Sequence, residues 1–179
     1  MPKTTLGGHP LHPMLIVAPG GLLPLSLILD VMYLATGKRS YAESAYYSMV
    51  GGYTGGLAAA AAGAADYFAL PPNTHSKKVA NLHAALNLVM LGAYSLNLLL
   101  RRGKNPPTGV LPVLLSTIGV LGLIVSAWYG GHLVYEHGVR VKGVSPIADA
   151  FEVKPPGDER LEEAFGKLEE RLAPKDGHQ

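Results

Sequence analysis

The chain has 179 residues, of which 48% are hydrophobic and only 16% charged, against about 25% charged in an average soluble domain. A formal net charge of +2, with no basic patch interleaved with aromatics, gives no case for nucleic acid. The absence of cysteine excludes a disulfide scaffold, thiolate catalysis, and iron–sulfur or Cys-ligated zinc centres held by this chain. The charge deficit is also uneven. Windows 12–36, 46–70, 80–100 and 110–135 together hold two charged side chains, Asp30 and Asp66. An ordinary soluble α/β enzyme and a disordered chain are both excluded by that pattern.

A bilayer core about 30 Å thick needs roughly 20 apolar residues in a helix. The first predicted span runs from Met14 to Thr36 and is closed by Gly37-Lys38-Arg39. His12-Pro13 reads as its N-cap and first helical position, and Pro19 and Pro24 are expected to bend it. It lacks the basic flank and short core of a cleavable signal peptide. Asp30, near its far end, is expected to snorkel to the surface, with only Lys38 or Arg39 as partners in view. The second span, Tyr46 to Leu70, stops at Pro71-Pro72. Gly51, Gly52, Gly55 and Gly56 form two overlapping GxxxG pairs in it, to be used inside the bundle or as a homodimer face. The third span, Asn81 to Leu100, stops at Arg101-Arg102, and the fourth covers Val110 to Tyr135.

Backbone groups find no water in lipid, so each span should be a helix. Short connections make neighbours antiparallel. The expected architecture is therefore all-α: an integral membrane, up-down-up-down four-helix bundle over residues 1–143. Residues 144–179 are a polar linker followed by an amphipathic helix over 158–173. Its stripe of Leu161, Ala164, Phe165, Leu168 and Leu172 would dock on the bundle, a second copy or a partner; the alternative is a solvated, partly frayed tail. We call the face holding the N-terminus side A and the other side B. Lys38, Arg39, Arg101, Arg102 and Lys104 fall on side B, against Lys3, Lys77 and Lys78 on side A. The positive-inside rule then makes side B cytoplasmic, although Arg140 and Lys142 on side A argue the other way.

The same threading gathers His9, His12, Asp66, His75, His83, His132, Glu136 and His137 on side A. Ionisable groups in a membrane are costly and need partners. His83 and Asn87 share a helix face, as do His132 and Glu136. His132 and His137 lie about 140° apart around a helix, so only one of them can point inward. Imidazoles from two helices can ligate haem iron on both axial sides. Three imidazoles with a carboxylate, such as His12, His83, His137 and Asp66, could instead hold zinc, iron or copper, or Asp66 could orient a ligand histidine. A third reading is a hydrogen-bonded polar cap over the bundle mouth. His9, His75 and His178 read as surface residues.

Three stretches carry a resemblance: Gly8-His9-Pro10-Leu11-His12-Pro13, Gly63-x-x-Asp66-Tyr67, and Gly130-Gly131-His132-Leu133-Val134-Tyr135-Glu136-His137-Gly138-Val139. Together they resemble the bacterial predicted-membrane-protein family catalogued as domain of unknown function 2231, over about residues 6–143. The resemblance implies a four-span module of the bacterial cytoplasmic membrane without an assigned activity. His12, Asp66, His83 and His137 match its polar positions, and His132 falls at a variable one. An association of family members with Rieske-type proteins implies redox work. The reading that follows is a haem b protein with His83 and His137 as axial ligands, His12 as a third or substitute ligand, and Asp66 orienting an imidazole. It would pass electrons to a Rieske-type or other redox partner, since this chain has no cysteine of its own. The competing reading is a non-enzymatic membrane scaffold or a small-solute channel.

Overall fold

The structure, a computed structural model, describes residues 5–7, 9–141 and 152–153. Helices α1 (Leu11–Leu15), α2 (Val17–Thr36), α3 (Arg39–Ala69), α4 (His75–Arg101) and α5 (Val110–Tyr135) follow in chain order. Three two-residue strands, β1 (Thr5–Leu6), β2 (His9–Pro10) and β3 (Glu152–Val153), form a small sheet in the order β2-β1-β3. β1 pairs antiparallel with β2 and parallel with β3. Apart from β3, which lies within the expected linker, the tail falls outside the described residues, and so does the helix expected over 158–173.

Local sequence sets the helix ends. The cap before α1 is Pro10, not His12, so His12 lies inside the first turn. α1 and α2 part at Ile16 because Pro19, three residues on, has no N–H to offer the carbonyl of Leu15. Gly37 ends α2 in the left-handed region at φ 68°, which favours a residue without Cβ. Thr74 caps α4 by accepting from the Lys77 N–H at 3.1 Å.

α2 packs most closely on α3 and α4 on α5; thinner seams join α3 to α4 and α2 to α5. Sequence neighbours are thus spatial neighbours around a closed ring, which is the up-down-up-down bundle. Leu11–Thr36, His75–Arg101 and Val110–Tyr135 are long and apolar enough to cross a membrane. α3 has 31 residues, ample length for a crossing, but it is not among the helices that are apolar enough by composition. Its role is close packing. A Cβ at Gly52 would meet Leu23 at 2.8 Å, and one at Gly55 would meet Ala18 at 2.6 Å. The glycine stripe therefore faces α2 inside the bundle.

The distribution of polarity is inverted relative to a water-soluble fold. Val17, Leu88, Val89, Val110 and Ile118 are exposed, while Arg101, Asn97, Asp30, Ser26, Ser116 and Ser126 are almost wholly buried. Lipid solvates the outside, and polar groups pair within. The expectation for Asp30 is corrected here. It neither snorkels nor pairs with Lys38 or Arg39; it is fully buried and makes a two-pronged ion pair with Arg101 across the bundle. Arg101 in turn belongs to the interior rather than to the basic edge of a loop.

Candidate functional site

On side A the structure separates the expected ring into two groups of imidazoles and one ion pair. The deeper group joins His12 of α1 to His83 of α4, with ring centroids 6.2 Å apart and planes at 86°. His12 Nδ1 lies 2.7 Å from the Ala59 carbonyl of α3. His83 Nδ1 lies 2.9 Å from the Ser126 carbonyl of α5. A carbonyl only accepts, so each Nδ1 is the protonated nitrogen and each Nε2 carries the lone pair. Four elements meet in this arrangement, α1 and α4 presenting the rings and α3 and α5 holding them.

Glycines make the seats. A Cβ on Gly63 would stand 2.9 Å from His12 Nδ1, and one on Gly130 would stand 3.2 Å from His83 Cε1. A Cβ at Gly63 would force a shift of the His12 ring or its seat, and one at Gly130 would require His83 to give by a few tenths of an ångström. Both glycines fall within the stretches that carry the family resemblance, yet spacing alone did not reveal this use of them.

The two rings differ in what remains free. His12 Nε2 has no hydrogen-bond partner among the described residues. His83 Nε2 accepts from the Asn87 amide at 3.1 Å. That amide nitrogen also reaches the His83 carbonyl at 2.8 Å and Ser126 Oγ at 2.9 Å. It has two N–H groups for three acceptors, and the Nε2 contact is the longest, so it is the one most cheaply exchanged. The i, i+4 relation of His83 and Asn87 was visible in the sequence; the Ser126 hydroxyl across the seam was not.

The outer group is His75, His132 and His137. His75 Nδ1 and His137 Nε2 are 3.2 Å apart, and His132 meets His137 edge-on at 5.0 Å. Trp128 stacks on His132 with planes at 12°. His137 thus sits with His75, which is exposed as expected, and not beside His83. Asp66 orients no imidazole; it pairs with Arg140 through Nη2. Lys77 and Tyr67 brace the neighbouring turn, the ammonium lying 3.4 Å from the ring centroid. Among the described residues, no three His, Asp or Glu side chains are gathered as a metal cage. His12, Asp66, His83 and His137 are therefore not brought together as one ligand set. His9 bonds its own turn at Gly7 and is exposed, and His178 lies outside the described residues.

An apolar exterior, a polar interior and a closed ring of antiparallel helices define a multi-pass membrane protein with a polar, histidine-lined end. The chain belongs to the family of predicted membrane proteins named DUF2231, whose model matches residues 8–143. That stretch takes in the whole bundle and all three groups just described. No curated protein and no solved structure matches the chain.

Proposed function

We propose that this protein is a redox component of the bacterial cytoplasmic membrane in which His12 and His83 ligate haem b iron. The observation that carries the reading is the paired anchoring of the two imidazoles. Each gives its Nδ1 proton to a backbone carbonyl, the arrangement that fixes the tautomer of metal-ligating histidines and raises the basicity of Nε2. His12 and His83 would hold the iron if both Nε2 atoms turned toward a position between the rings. The ring centroids are 6.2 Å apart. Haem needs only two ligands from the protein, which suits a pair better than a zinc, iron or copper ion wanting three or four. His12 takes the place first given to His137, and Asn87 yields the His83 lone pair. The cofactor supplies one-electron chemistry; the chain holds it and sets the polarity around it.

Electrons would pass at side A to a separate redox protein, with a Rieske-type protein as one candidate. Setting aside the two arginines paired with Asp30 and Asp66 leaves Lys38, Arg39, Arg102 and Lys104 on side B and Lys3, Lys77, Lys78 and Lys142 on side A. The counts balance, so the positive-inside rule does not favour either face.

The test is the visible spectrum of protein purified after expression with excess haem and iron. A Soret band lost in both His12→Ala and His83→Ala, but kept in His137→Ala, is the expected result. Loss in His137→Ala with retention in His12→Ala would restore the pairing of His83 with His137. A second reading is favoured by the saturation of His83 by Asn87 and Ser126: the pair is a polar clasp in a non-enzymatic scaffold. Colourless protein without stoichiometric metal would leave that reading standing.

A further inference from the structure

The thin seam between α3 and α4 opens on the lipid-facing flank as a groove of about 330 Å³ lined by Tyr46, Tyr53, Ser95, Leu98, Leu99 and Arg102. The antiparallel register explains its shape. Tyr46 and Tyr53 are seven residues apart on α3, and Ser95 and Arg102 span seven on α4 and its cap. Either step is about 10 Å along a helix. α3 runs away from side B and α4 runs toward it, so Tyr46 and Arg102 mark the side B mouth. Tyr53 and Ser95 close the deep end, hydroxyl to hydroxyl at 2.7 Å. Between them the wall is apolar, with Leu99 64% exposed.

The mouth is positively charged and its charge is uncompensated. The described carboxylates at this end are Asp30 and Glu43. Asp30 is taken by Arg101 and Glu43 by Arg39. Arg102, exposed at the helix cap, has no acidic partner among the described residues, and neither do Lys38 and Lys104. A groove on the flank of a membrane bundle is bathed by lipid, so its natural occupant is a lipid chain. Basic pockets between membrane helices suit acidic headgroups.

We propose that this groove binds an anionic phospholipid, one acyl chain lying along Leu98 and Leu99 and the phosphate meeting Arg102 at the mouth beside Tyr46. The guanidinium fork suits a phosphate through two parallel N–H bonds. The hydroxyl pair of Tyr53 and Ser95 already satisfies itself, so the deep end offers no competing polar site. This inference is independent of the histidine end and stands whether or not the protein holds haem.

The test is native mass spectrometry of the full chain released from bilayers of equal parts phosphatidylglycerol and phosphatidylcholine. The expected result is retention of phosphatidylglycerol over phosphatidylcholine, reduced about fivefold by Arg102→Gln and much less by Lys104→Gln, which does not line the groove. Helicity by circular dichroism shows that both variants remain folded, and Arg102→Lys should keep part of the preference. Equal retention of the two lipids, or full retention in Arg102→Gln, would overturn the proposal. So would displacement of the lipid by millimolar inorganic phosphate, which would mark a site for the free anion.

Discussion

The two ends of the bundle solve the same problem in opposite ways. On side B, Arg101 is wholly buried, and each of its five N–H donors has an acceptor. Nε donates to Asn97 Oδ1 at 2.8 Å. Nη1 reaches Asp30 Oδ1 and the Pro107 carbonyl. Nη2 reaches Asp30 Oδ2 and Ser116 Oγ. Thr108 adds a bond to Asp30, and Asn97 ties to Ser116 and the Pro112 carbonyl. Nothing in that network is left to meet a ligand. On side A, His12 keeps a lone pair without a partner, and His83 shares its own with an over-committed amide. A saturated network locks α2, α4 and α5 in register; an unsaturated one retains capacity for chemistry. Polar residues inside a membrane bundle thus divide by what they leave unspent.

Breaking the lock should give the largest effect. Asp30→Ala or Arg101→Ala strands an unpaired charge in the interior, and loss of one partner of a buried pair costs about 3–5 kcal/mol. We expect either variant to lose helicity early in a titration of mixed micelles with a denaturing detergent. The double variant Asp30→Leu, Arg101→Leu removes both charges at once and should recover a large part of that loss. If each single variant unfolds like the parent, the side B network contributes nothing and the comparison of ends fails.

The glycine seats should come next. At Gly63 a methyl group would sit 2.9 Å from His12 Nδ1, and at Gly130 it would sit 3.2 Å from His83 Cε1. Overpacking of this kind costs about 1–3 kcal/mol, so Gly63→Ala should destabilise more than Gly130→Ala. Gly92 of α4 has nothing within 4 Å of an added Cβ, so Gly92→Ala should hold or gain up to about 1 kcal/mol of helix stability. Ordered melting midpoints, Gly63→Ala below Gly130→Ala below Gly92→Ala, are the check. Under the cofactor reading, pigment per protein should fall in the same order.

The sequence displayed the bundle well and the site only in outline. Four apolar windows and three short connections settle the topology, because a buried backbone in lipid leaves few alternatives. The last window, Val110 to Tyr135, coincides with α5. The others gained a turn or more at an end, where α3 and α4 extend beyond the apolar run into polar residues. The gathering of histidines on side A followed from counting crossings. Which of them touch did not, because pairing depends on helix rotation and depth, and neither is fixed by a run of Leu and Ala. The miss at Asp30 is instructive. A carboxylate inside an apolar window demands a cation at the same depth, and Arg101, at the end of the third window, was in view. Reading Arg101 as a stop signal hid it. Gly63 and Gly130 were legible as motif residues, but their purpose needed the ring that each admits.

The smallest expected effect is the most discriminating between the two readings of side A. Asn87→Ala deletes one amide that contacts His83 Nε2, the His83 carbonyl and Ser126 Oγ. If the pair is a polar clasp, the amide is part of the clasp, and its loss costs about 1 kcal/mol with no gain elsewhere. If iron takes the Nε2 lone pair, Asn87 competes with it, because one lone pair cannot serve both a proton donor and a metal. Asn87→Ala should then bind haem at least as tightly as the parent, by titration of the apoprotein followed at the Soret band. The stability change is too small to separate these outcomes, but the direction of the affinity change is not. Weaker haem binding in Asn87→Ala would mean that the amide holds the imidazole in place, and the exchange at Nε2 would lose its basis.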